Sequence, residues 1–227
     1  MELILAHSPD ADDAYMFYGV ASGAVEGRFE FREFLADIET LNRLAVGGGR
    51  LDLTALSAAA LGFTRRYYVL RVGASIGERY GPIVVARGPR REVELVAVPG
   101  RYTTAALLLR LAMPDAKTVE VPFDKIFDAV AAGAVDAGVI IHEGQITYDR
   151  RGLHKLLDLG EWWHQQTGLP TPLGVDAVDK RLGERTAEEL KLLLLESIKY
   201  AEAHRDEAVK YAMRFSPPTP PCWRATY

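Results

Sequence analysis

An apolar run in VDAGVIIHEGQITY (135–148) ends directly in His142 and Glu143, and Gly144, Thr147 and Tyr148 follow in a polar loop. Open α/β sheets bind ligands beyond the carboxyl ends of their strands. A histidine there titrates near neutral pH and suits a general base. A histidine that only satisfies the loop backbone would leave the same sequence, so both readings stand. VAVPGRYTTAALLLRLA (96–112) is the second such place: a strand ends at Pro99-Gly100, and Thr103 and Thr104 open an apolar helix. Backbone N–H groups at a helix start, with two hydroxyls beside them, suit a carboxylate or phosphate. Either threonine would also serve as a plain N-cap. The third is LTALSAAA (53–60), where Ser57 ends a strand before small residues. Small side chains permit close approach of a ligand, and equally permit tight packing.

HSPDADDAYMF (7–17) gathers Asp10, Asp12 and Asp13 behind a strand. As a calcium loop it fails, because Ala14 and Tyr15 occupy the fifth and sixth positions. Aspartates at a helix start cap orphan N–H groups and meet the positive end of the dipole. Such a cluster also repels an anion, which places an anion site at Thr103-Thr104 instead.

Other chemistries are set aside by pattern. There is no G-x-G-x-x-G, G-x-x-x-x-G-K-[ST] or H-E-x-x-H, and the single Cys222 excludes an internal disulfide or a multi-cysteine metal site. With a net charge of −4 and no basic patch, neither nucleic acid nor an anionic membrane is an expected partner. MELILAHSPD has no basic segment ahead of its apolar run, and no run approaches the roughly 18 residues of a membrane span. A cytoplasmic, soluble protein is the expectation.

Positioning these residues requires strands alternating with helices, an α/β fold with much parallel sheet. Strands are read at 2–7, 28–34 (half-buried), 51–57, two within 81–100, 94–98 being the second, then 118–121, 135–141 and one in 171–180. Helices are read from about Asp13, over 37–46 with Asp37 as cap, over 103–113, 123–132 and 186–215. Thr186 with Glu189 forms a capping-box pattern, and a break falls near His204-Arg205-Asp206. GPRR (88–91) is the best linker candidate. The layout is a discontinuous first lobe (1–87 plus 176–215), an inserted second lobe (88–175) and a Pro-rich disordered or aberrant tail (216–227).

Taken together, SPDADDAYMF, DIETLN, LTALS, GPIVVARGP, VPGRYTTAALLL, VDAGVIIHEGQITY, DLGEWW and TGLPTPLG resemble the 1,4-dihydroxy-6-naphthoate synthases of the futalosine route to menaquinone. The resemblance runs in order over about residues 3 to 175, with a helical match to about 213. It implies a two-lobed, periplasmic-binding-protein-like (type II) fold with mixed sheets and a ligand cleft between lobes. The implied activity is a carbon–carbon lyase acting on cyclic dehypoxanthinyl futalosine. His142 would be its proton acceptor, and Ser57, Thr104 and Ala105 would hold a small, carboxylate-bearing substrate. No metal or organic cofactor is implied, and a monomer or weak dimer is expected. Ala55 and Gln145 stand where many members carry lysine and arginine. A non-catalytic anion-binding protein and a chorismate dehydratase-like enzyme are the other readings of such a chain. VIIHEGQITY speaks against the second.

Overall fold

In ELILAH the side chains alternate between two buried surfaces, and the segment forms β1 (Glu2–His7). The computed structural model describes residues 1–89 and 92–214, so the expected tail lies outside the described residues. The first half continues with α1 (Ala11–Ala21), β2 (Glu30–Leu35), α2 (Ile38–Gly47), β3 (Leu53–Ser57), a 3-10 turn (Ala58–Gly62) and β4 (Tyr67–Gly77). Next come β5 (Ile83–Ala86), β6 (Leu95–Val98), α3 (Thr104–Ala112), β7 (Lys117–Glu120), α4 (Ile126–Ala132) and β8 (Ala137–Ile140). The described residues end with β9 (His154–Asp158), α5 (Leu159–Thr167), β10 (Thr171–Asp179), α6 (Gly183–Ala203) and α7 (Arg205–Ala212).

The strands form two five-stranded mixed sheets, ordered β2-β1-β3-β10-β4 and β7-β6-β8-β5-β9. Two compact units result, one of Met1–Ser75 with the chain from Gly174, the other of Ile76–Leu173. Both crossings fall inside strands, in β4 and in its neighbour β10. GPRR therefore does not join units: β5 and β6 on either side of it lie in one sheet.

In the first unit β1 is parallel to β2 and β3, and β10 is antiparallel to β3. One core cluster holds Leu3, Leu5, Phe17, Val178, Leu190 and Leu194. Another holds Ala6, Leu41, Ala45, Leu56 and Ala177. This is the period-2 alternation of a sheet covered on both faces. In the second unit Val84, Val96, Val98, Leu109 and Val139 form one cluster, and Ile83, Val85, Ala97, Ile126 and Val130 form another.

Three expectations change. β2 is read as half-buried from its alternation, yet most of it is exposed, because it is the edge strand with β1 as its one sheet neighbour. β4 (YYVLRVGASIG) breaks its apolar pattern with glycines and is not among the strands read from sequence; pairing in the sheet supplies what the pattern lacks. Helix α6 begins at Gly183 rather than at a Thr186 cap, and Glu189 instead accepts from Arg28 (2.5 Å) and Arg185 (3.2 Å). The expected break is present, with His204 between α6 and α7.

Candidate functional site

The residues singled out in the second unit stand at strand ends. β8 stops at Ile140, and His142 opens a 3-10 turn (His142–Ile146). Its backbone is left-handed, at φ 53°. Few residues with a side chain adopt that conformation, histidine being among the more tolerant. The imidazole is partly buried and meets the Phe123 ring edge to face, 5.5 Å between centroids and 74° between planes. Gly144 is required within the turn, since a Cβ there would overlap Ile140 and come within 3.1 Å of Phe127. Arg151 lies over the other part of this support, 4.6 Å from the Phe127 ring centroid.

β6 ends at Val98, and Thr103 caps α3. The Thr103 hydroxyl accepts from the Ala106 N–H (3.1 Å) and donates to the Gly100 carbonyl (2.7 Å). Thr104 donates its hydroxyl proton to the Leu173 carbonyl (2.8 Å). Each hydroxyl thus spends its one proton on the protein. The amide hydrogens that open α3, that of Ala105 among them, have no carbonyl one turn back within the helix. Thr103, Thr104 and Ala105 are all buried.

In the first unit Ser57 ends β3, buried, and is held by a residue the sequence reading passed over. Asn42 of α2 donates to Ser57 Oγ (3.0 Å) and accepts from the Ser57 N–H (2.9 Å). The signal available in the sequence was an asparagine beside the apolar stripe of Leu41 and Ala45; the fold buries it fully. Phe123 was likewise missed; an aromatic directly after a proline at a helix start carries no pattern pointing to a histidine nineteen positions on.

The aspartates of α1 take up structural bonds. Asp10 caps the helix by accepting from the Asp13 N–H (2.9 Å), and Asp13 accepts from the Ser8 N–H (2.8 Å). Burial, reinforced by the charge of Asp10, pushes the Asp13 carboxyl well above its ordinary range. Asp176 of β10 goes the same way, through burial first and the charge of Asp13 second. It is 1% exposed, and neither carboxyl oxygen has a hydrogen-bond partner. Beside them, buried His7 bonds through Nδ1 to the Ser8 carbonyl (2.9 Å) and through Nε2 to Glu33 (3.1 Å), stacked on Phe17 at 5.0 Å. The His7 bond holds the Glu33 carboxyl below its ordinary range. Among the described residues no three His, Cys, Asp or Glu side chains gather in a way that could hold a metal ion. A cavity of about 370 Å³ in the same unit is lined by Leu5, Phe29, Phe31 and Glu33 among others, and by none of the residues expected to hold substrate.

The model of a family described as menaquinone biosynthesis matches residues 3–224, nearly the whole chain. The chain belongs to this family. Within the menaquinone biosynthesis family it is similar to two proteins named 1,4-dihydroxy-6-naphthoate synthase. The one from Thermus thermophilus is 47% identical over 212 residues, covering 92% of this chain and 78% of the relative. The one from Streptomyces coelicolor is 36% identical over 228 residues, covering 95% and 80%. A crystal structure of an Archaeoglobus fulgidus protein superposes with a TM-score of 0.92 at 46% identity, over 96% of this chain and 83% of that one. A Candida albicans protein described as exhibiting the generic periplasmic binding protein fold matches with a TM-score of 0.69 at 12% identity, over 94% and 76%. The last likeness speaks for the fold alone, and that fold is the one expected: α/β, with two mixed sheets. Among the described residues no helix is long and apolar enough to cross a membrane.

Proposed function

We propose that this chain is a 1,4-dihydroxy-6-naphthoate synthase, a lyase of menaquinone biosynthesis that converts cyclic dehypoxanthinyl futalosine to 1,4-dihydroxy-6-naphthoate. The observation that carries the reading is the 47% identity to the Thermus thermophilus enzyme of that name over 92% of the chain. His142 is the proton acceptor. A general base must present a lone pair at a fixed place, and the turn after β8 gives the imidazole a defined setting against Phe123. Proton removal by His142 initiates loss of the sugar-derived fragment and aromatisation of the remaining ring.

The substrate is small and carries a carboxylate. The amide hydrogens at the start of α3 suit that group, where the helix dipole favours negative charge. Thr103 and Thr104 shape this end of the helix through their own bonds rather than by donating hydroxyl protons outward. Ser57 accepts from Asn42, which leaves its hydroxyl proton to be directed at the substrate.

Incubation of the purified chain with the cyclic futalosine should release the dihydroxynaphthoate, followed by chromatography. His142→Ala should abolish release. Undiminished turnover by the variant would remove His142 from the mechanism; absence of turnover by the native chain would remove the activity.

A further inference from the structure

The turn bearing His142 rests on two phenylalanines, and one of them reaches the imidazole itself. Phe123 opens the 3-10 turn Phe123–Lys125 immediately before α4, and its ring meets the His142 ring at 5.5 Å and 74°. Phe127, in the first turn of α4, sits under Gly144, with Cε2 3.1 Å from where a Cβ would be. Gly138 of β8 leaves room for α4 to lie close, since a Cβ there would overlap Ile126 and reach within 2.9 Å of Val130. Strand β8, which leads into the His142 turn, and helix α4, which carries Phe127 and follows directly on the turn of Phe123, are therefore packed directly together. His142 itself holds φ 53°, a conformation that persists where the surroundings over-determine it.

We propose that Phe123 is a positioning residue for His142, its ring fixing the orientation of the imidazole that accepts the proton. The inference rests on the assignment of His142 as the base. Edge-to-face pairing is directional, because the positive edge of one ring meets the negative face of the other. Leucine fills comparable space without that preference, so the imidazole rotates more freely and is aligned for proton transfer less of the time.

The test compares Phe123→Leu and Phe123→Tyr in the full chain, each in the native and in the His142→Asn background, with cyclic futalosine as substrate. Phe123→Leu should lower kcat roughly three- to tenfold, the range set by one aromatic pair, with KM little changed. Phe123→Tyr keeps the ring and should keep the rate. On the residual turnover of His142→Asn, Phe123→Leu should have no further effect. The His142 ring-proton resonances should also move in Phe123→Leu as the ring current disappears, a readout independent of turnover. Native kcat in Phe123→Leu, equal losses in both backgrounds, or a loss in Phe123→Tyr matching that in Phe123→Leu would overturn the inference while leaving His142 as base. Full turnover by His142→Asn alone would overturn the base assignment, and this inference with it.

Discussion

Replacing Asp176 by asparagine should stabilise the protein at neutral pH, by an amount that grows with pH. The carboxyl is 1% exposed, neither oxygen has a hydrogen-bond partner, and a Cβ on Gly73 of the neighbouring strand would overlap Oδ2. Burial and the charge of Asp13 outweigh the favourable charge of His7, so the folded-state pKa lies well above the ordinary value. In the unfolded chain the group ionises near pH ~4. Its stabilising contribution is therefore complete below that pH and is lost as pH rises toward and through the folded-state value. Each pH unit in this window costs about 1.4 kcal/mol. For a chain of 227 residues, 1 kcal/mol moves Tm by about 2–4 °C. The asparagine side chain has nearly the same shape and no such titration. Thermal melts followed by circular dichroism from pH 4.5 to 7.5 should show the Asp176→Asn variant gaining about 3–6 °C on the native protein per pH unit, until the native curve levels. Parallel curves, or a variant less stable at pH 7, would mean that Asp176 is ionised and partnered in the fold, and the argument would fail.

Two further outcomes follow from bonds described above. Thr103→Ala removes the cap on Ala106 and the bond to Gly100; it should cost about 1 kcal/mol, read as a lower urea midpoint that Thr103→Ser restores. Glu33→Gln weakens the bond to His7. Because the folded-state pKa of Glu33 is depressed, its contribution is present above pH ~4.3 and is lost as pH falls. Glu33 is 38% exposed on its side chain, so the cost at neutral pH should be about 1 kcal/mol, with the two melting curves converging below pH 4. A difference that persists in acid would assign the effect to packing.

Where side-chain period alone decides an element, the sequence was sufficient. ELILAH, LTALS and AALLLRLA carry their own strand and helix patterns, and Asp37 and Thr103 cap the helices they precede by bonds to N–H groups three residues on. The strand-end rule also brought His142, Ser57 and Thr103 to attention, because polar residues terminating apolar runs are visible in one dimension.

Long-range contacts settled the rest. β4 contains Gly73 and Gly77, which weaken any strand pattern; it is a strand because the sheet continues onto it from β10. Gly73 must lack a side chain for the sake of Asp176, more than a hundred positions away. Glu189 looks like half of a capping box, but is taken by Arg28 from 161 positions off. The type and place of His142 were sequence properties. Its left-handed backbone, the ring of Phe123 against it and the close seat of α4 that brings them together arise from packing between segments, which no local pattern encodes.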